Sequence, residues 1–395
     1  MKRALFAVAA AGMTSVAAAQ SSVTLYGTVD TGLTYLNNVG GHSLWEMEGG
    51  NLGESKFGFL GSEDLGGGLK ATFQLENGFN SANGRLSEGG LLFGRMATVG
   101  LASDKWGTFT AGRQNDSLSD ALGPFGSCWN WSGYGYHFGD NDNLCQFTHY
   151  SNLVRYTTPT FAGVTIGGTY GFGGQPGDFT HNQLWAVAAT YSSGPVNLGA
   201  GYFRVNNPGS PSGPFDSAGI STAFTNPGAD NYSSAMSGNY VGIQDAGSWK
   251  VAGVGGSYTI GDLVLSAVYT NSRYSDSRYL IDTGSGDSKT DVVFNNVEVS
   301  AMYNVTPAWS VDASYQYTHA SVTAVDRKGL FHTISLGTGY ALSKRTSLYA
   351  LVNYQLARGD GIYASDGTFG ANAAIQGVSS NGQQVNATVG IRHSF

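Results

Sequence analysis

The sequence predicts an all-β fold, a transmembrane antiparallel β-barrel of 16 strands with long extracellular loops. Three observations predict it. Polar and apolar residues alternate with period two along most of the chain, a pattern that puts successive side chains on opposite faces of a strand. The alternating segments run about 9–14 residues, the length a tilted strand needs to cross a bilayer. Their connections are alternately short and long, as in an outer-membrane barrel with short turns at one end.

The elements follow in order. The chain opens with Lys2 and Arg3, then an apolar run from Ala4 to Ala11, then Ala17-Ala18-Ala19. This is the layout of a secretory signal peptide cleaved after a small residue, so residues 1–19 read as leader and 20–395 as one barrel. Strands are expected to begin near Val23, Gly53, Gly68, Gly90, Trp106 and His149. Further starts fall near Ala162, His181, Pro195, Gly247 and Asp262, and the last near Asp291, Ala308, Gly329, Arg345 and Gln383. In the first, Val23, Leu25, Val29 and Leu33 alternate with Thr24, Tyr26, Asp30 and Thr34; in the last, Val385, Ala387, Val389 and Ile391 alternate with Asn386, Thr388 and Arg392. Short turns lie at Gly61–Gly68, Ser192–Pro195, Ile260–Asp262, Val305–Pro307 and Leu342–Lys344, and the largest loops at 115–148, 207–246 and 359–382. Closure removes the strand edges that lipid cannot satisfy.

Composition narrows the function. Charged residues are 12% of the chain, about half the usual globular share. The net charge is −7 without a basic run, so nucleic acid is excluded as a partner. Two cysteines without a CxxC pair and seven histidines without HExxH leave no metal or cofactor motif. Nor is there a GxSxG nucleophile turn, and no enzyme is expected.

Several segments carry a family resemblance. The stretch from Gln20 through Val23-Thr24-Leu25-Tyr26-Gly27 looks like a mature start, and Gly61-Ser62-Glu63-Asp64-Leu65-Gly66 with Phe73-Gln74-Leu75-Glu76 like a second turn and third strand. Leu92-Phe93-Gly94-Arg95, Gly107-Thr108-Phe109 with Gly112-Arg113-Gln114, and Gly390-Ile391-Arg392-His393-Ser394-Phe395 complete the set. Together they resemble the Gram-negative general porins of β-proteobacterial type, over the whole mature chain. The resemblance implies a homotrimer in outer-membrane lipid and lipopolysaccharide, passing small hydrophilic solutes passively. It also implies a third long loop folded into the pore, and the terminal Phe395 as the signal read by the barrel-assembly machinery. A substrate-selective channel for a sugar or aromatic solute, and a plugged structural or adhesin barrel, are the competing readings on this fold.

Selectivity in such a pore comes from its radius and from charges lining a poorly solvated constriction. The family sets wall bases against loop carboxylates. Position by position, this implies Lys56, Arg95, Arg113, His149 and Arg155 as pore-lining bases, with His149 and Leu60 standing where the family often has further cations. It implies Asp116, Asp120, Asp140 and Asp142 as the loop acids, with Asp140 and Asp142 near the basic wall. The run Gly139–Asn143 resembles half a calcium loop, but Cys145 and Ser151 occupy the positions where an EF-hand needs Gly and Glu, so no EF-hand is expected. Trp129, Trp131, Tyr134 and Tyr136 make the loop aromatic, and packing of these rings against the wall is favoured over a ring-lined eyelet. Both cysteines, Cys128 and Cys145, fall in this loop. An exported chain can oxidise them, and the bridge would contribute about 3 kcal/mol by restricting the unfolded loop. The loss of an arginine at position 149, with four loop acids, points to weak anion preference or mild cation preference.

Overall fold

In the computed structural model the described residues are 22–208, 214, 246–278, 289–323, 327–360, 363–365, 368–370 and 379–395. The expected leader, 1–19, lies outside them, as do most of the loops expected at 207–246 and 359–382. The strands are β1 (Ser22–Val39), β2 in two halves (His42–Gly49 and Lys56–Gly66), β3 (Leu69–Gly78), β4 (Met96–Ser103), β5 (Gly107–Gln114) and β6 (Tyr150–Thr157). Then come β7 (Val164–Gly171), β8 (Leu184–Ser193), β9 (Val196–Asn206), β10 (Ser248–Ile260) and β11 (Leu263–Arg278). β12 (Lys289–Thr306), β13 (Trp309–Val322), β14 (Arg327–Ala341), β15 (Thr346–Gly359) and β16 (Gln383–Ser394) complete the sheet.

Each strand pairs antiparallel with the next, and β16 returns to β1, from Thr28↔Ser394 to Leu36↔Asn386, closing the barrel. Both halves of β2 pair with β1, the first along Thr31–Val39 and the second along Ser22–Thr28. They are therefore one strand interrupted at residues 50–55, and there are sixteen strand positions. The expected start near Gly53 catches only the second half. A second difference is at β4, which begins at Met96, not near Gly90. Glu88–Gly90 forms a tight turn in which Gly89 and Gly90 take φ of 68° and 89°, so the apolar run after it belongs to the loop.

The alternation is inverted relative to a water-soluble sheet. In β1, Val23, Leu25, Val29 and Leu33 are exposed while Thr28, Asp30 and Thr34 are buried; in β13, Val311 and Tyr315 are exposed while Asp312, Ser314 and Gln316 are buried. Apolar side chains facing outward and polar ones inward are what lipid outside and water inside demand.

The long loop between β5 and β6 turns into the barrel. It begins with helix α1 (Ser117–Leu122), capped by Asp116, whose carboxylate accepts from the N–H groups of Leu118 (2.8 Å) and Ser119 (3.1 Å). α1 lies on the inner face of β8–β10. That face is floored by Gly199, Gly201, Gly253 and Gly255, where an added Cβ would come within 2.9 Å of Ala121, Leu118, Leu122 or Phe125. Around this floor Leu118, Leu122, Phe125, Phe138 and Leu144 of the loop pack with Phe203, Trp249, Tyr274, Phe294 and Phe331 of the wall. Phe138 stacks on Phe331 with centroids 3.5 Å apart. Each such side chain taken from water contributes about 1.5–3 kcal/mol, so this packing fastens the helical part of the loop to the β8–β14 side of the lumen.

Candidate functional site: a charged wall facing an inserted loop

Opposite that apolar face, β1–β4 carry charge. Lys56, first residue of the second half of β2, lies 3.4 Å from the Glu76 carboxylate on β3. Arg95, immediately before β4, donates from Nε to Glu76 at 2.8 Å, pairs through Nη1 with Glu54 in the β2 interruption, and has Glu88 at 3.9 Å. Tyr26 donates to the other Glu76 oxygen at 2.8 Å. Arg113 is buried, donating to the Gly94 carbonyl and, at 2.9 Å, to Ser151. Glu76, Glu54 and Glu88 have no counterpart among the sequence-derived site residues. Glu76 shares lumen parity with Gln74 on β3, a signal open to the alternation argument. Glu54 and Glu88 sit in irregular segments where parity is silent.

His149 is buried, with Nδ1 3.5 Å from Glu88. Burial, with Arg95 and Arg113 close by, pushes its pKa well below the usual histidine value. Neither ring nitrogen has a hydrogen-bond partner among the described residues. It is a neutral side chain in the wall, and the charge expected of it as a pore-lining base is absent. Burial also raises Glu54 and Glu88, against the pull of Arg95.

The four loop acids part company. Asp120 pairs with Arg155 of β6 and accepts from Gln146 at 2.6 Å. This is the one contact between an expected loop acid and an expected wall base among the described residues. Asp116 is used as the α1 cap, and burial lifts its pKa to about 6. Asp140 accepts from the N–H groups of Cys145 (3.1 Å) and Phe147 (3.3 Å). Asp142 pairs with His137 at 2.6 Å and accepts from Thr270 on β11 and Asn296 on β12. The expectation that Asp140 and Asp142 lie against the basic wall is thus corrected: both are buried and committed to the loop's own turn and to the far wall. His137 also lies 3.6 Å from Glu298 of β12. Burial works against its charge, but Asp142, Glu298 and Asp140 outweigh burial and raise its pKa to about 9. Burial likewise opposes ionisation of Asp142, and His137 more than compensates.

Three of the four aromatic candidates are packed away. Trp131 lies on Gly337 of β14, joining Tyr134, Tyr349 and Leu351 in a second apolar cluster. The Tyr134 hydroxyl donates to Glu48 and to Asn51, the latter at 2.7 Å. Tyr136 meets Phe147 edge-on at 5.1 Å. Trp129 remains 40% exposed, its indole N–H donating to the Leu144 carbonyl at 2.6 Å. Cys128 and Cys145 are bridged, with Cα atoms 5.9 Å apart. Phe395 pairs with Gly27 through two backbone hydrogen bonds (3.0 and 3.1 Å) at the β16–β1 seam. No group of three or more metal-ligating side chains converges among the described residues.

An apolar outer belt, a polar lumen and a loop bound inside it against one wall define a β-barrel channel of an outer membrane. The chain belongs to the Gram-negative porin family, whose sequence profile matches residues 4–361. It is 32% identical to an outer membrane porin protein of Bordetella pertussis and 30% identical to outer membrane porin protein 32 of Delftia acidovorans, over the full length of each chain. Among solved structures, an anion-selective porin from Comamonas acidovorans superposes with a TM-score of 0.69 at 25% identity, covering 95% of this chain and all of that one. The trimeric form of an outer membrane protein, OmpT, of Vibrio cholerae has the same fold, with a TM-score of 0.63 at 17% identity over 95% of this chain and 99% of that one. The protein is an outer-membrane porin channel of a Gram-negative bacterium.

Proposed function

We propose that the barrel works as a homotrimer through which ions and small hydrophilic solutes diffuse passively, without a reaction of its own. It reaches outer-membrane lipid and lipopolysaccharide as residues 20–395, after loss of a leader at 1–19, and Phe395 is its signal to the barrel-assembly machinery. The constriction runs between the Lys56–Arg95–Arg113 wall and the inserted loop, with Arg155 and Asp120 at the join. The carrying observation is the loop's attachment inside the barrel, by apolar packing on the inner face of β8–β14 and by Tyr134 to Glu48 and Asn51 on the β2 side. The burial of Trp131, Tyr134 and Tyr136 weighs against an eyelet built to hold a sugar or an aromatic solute. Single-channel recording of the refolded protein in a planar bilayer tests the reading. Conductance appearing in groups of three equal steps is expected. Electrical silence from barrels shown to be folded would replace it with a plugged, structural barrel.

A further inference from the structure

Two carboxylates of this wall are seated with unusual care. An added Cβ on Gly78 would fall 2.1 Å from the Glu54 carboxylate oxygen, and one on Gly94 would fall 2.3 Å from Glu88 Cβ. Both glycines therefore leave room for an acid. Gly78 ends β3 and Gly94 precedes Arg95. From these seats Glu54 pairs with Nη1 of Arg95, and Glu88 stands 3.9 Å from the same nitrogen and 3.5 Å from His149. The side chains of Arg95, Glu54 and Glu88 are 14%, 15% and 12% exposed, so water screens them poorly.

In the cluster around Arg95, Lys56, Arg95 and Arg113 supply three positive charges against the three carboxylates Glu54, Glu76 and Glu88, while Asp30 and Glu48 add further buried carboxylates along the inner face of β1 and β2. His149 is held neutral, and Arg155 is matched by Asp120. A charge at a constriction acts on a passing ion through the sum of its neighbours, because the field of a close opposite pair falls off faster than that of a lone charge.

Resting on the porin reading above, we infer that Glu54 and Glu88 are selectivity-determining residues: seated on Gly78 and Gly94, they cancel the positive field of Arg95 and remove the anion preference that a basic wall would confer. The loop aspartates are not the agents, since Asp116 and Asp140 are spent inside the loop and Asp142 on His137 and the far wall. The channel is expected to discriminate weakly between chloride and potassium.

The test is reversal potential in a KCl gradient for the wild type and for Glu54→Gln, Glu88→Gln and the double variant, with heat-modifiable gel migration confirming folded barrels. The amide keeps the shape and removes the charge. The expected result is a severalfold rise in chloride-over-potassium permeability in the double variant, with smaller rises in the single ones. Arg95→Gln is the opposing arm, and it should shift preference toward potassium by leaving the carboxylates uncompensated. An unchanged reversal potential in either arm, from folded and conducting channels, overturns the inference, as does a strongly chloride-selective wild type. A wild type that folds but does not conduct sinks the channel reading itself, which separates the two failures.

Discussion

Two buried histidines, His137 within the inserted loop and His149 where the loop returns to the wall, are held in opposite states of charge, and their neighbours explain why. His149 sits between Arg95 and Arg113 and is kept neutral. His137 sits between Asp142 and Glu298 and is kept protonated, its pKa raised from 6.5 to about 9. A group with a raised folded pKa stabilises the fold fully below its unfolded value and loses that contribution as pH rises through the folded one. His137 should therefore contribute on the order of 3 kcal/mol to loop anchoring at pH 6, declining between pH 6.5 and about 9. The temperature at which the folded gel band is lost, at fixed heating rate, should fall over this window in the wild type and stay level in His137→Gln. Parallel curves would remove the charge from His137. The resemblance offered position 149 as a pore-lining base because it gives a place in the chain. It does not give the two guanidinium groups that three-dimensional packing brings alongside.

At the scale of elements, the strands were legible and the loops were not. Period-two alternation found every barrel strand, because lipid and water impose opposite polarity on its two faces. It missed the His42–Gly49 half of β2, where Trp45 and Met47 face outward and Glu48 inward, since glycine pairs on both sides disguise the segment as a loop. Inside the inserted loop, composition revealed aromatics and acids but not their use, which depends on contacts with Thr270, Asn296 and Glu298 more than a hundred residues away. Those contacts divide the work with the disulfide. Ser127 donates its backbone N–H to Glu298 at 2.7 Å, next to Cys128, so the loop is tied to the wall by bonds that survive reduction. Replacing both Cys128 and Cys145 by Ser should leave the barrel folded, weaken the loop locally by about 2–4 kcal/mol, and raise open-channel current noise. Noise equal to wild type would mean that the wall contacts alone immobilise the loop.

At the scale of the whole molecule, the decisive joint is the seam. The last strand must find the first across the full length of the chain, and it does so through Thr28–Leu36 and the Phe395–Gly27 pair. Such long-range pairing is intrinsically slow, because the loop-closure entropy is paid before its contacts stabilise anything. Phe395 covers Gly27, where an added Cβ would lie 2.4 Å from its ring. Phe395→Ala should lower the fraction of protein recovered as folded barrel from outer membranes, with a smaller effect on the conductance of barrels that do assemble. A fall in conductance with normal recovery would move the role of this residue from assembly to the pore.

The lumen's two halves have separate tasks. The β8–β14 side grips the loop through apolar packing, the β1–β4 side holds the charges around Arg95, and Tyr134 reaches across to Glu48 and Asn51. Substitutions in the apolar grip should combine additively with substitutions around Arg95, since the two clusters are made of different side chains. Such a layout would let what permeates be retuned without rebuilding what props the channel open, since the Arg95 charge cluster and the apolar grip on the loop are carried by different stretches of chain.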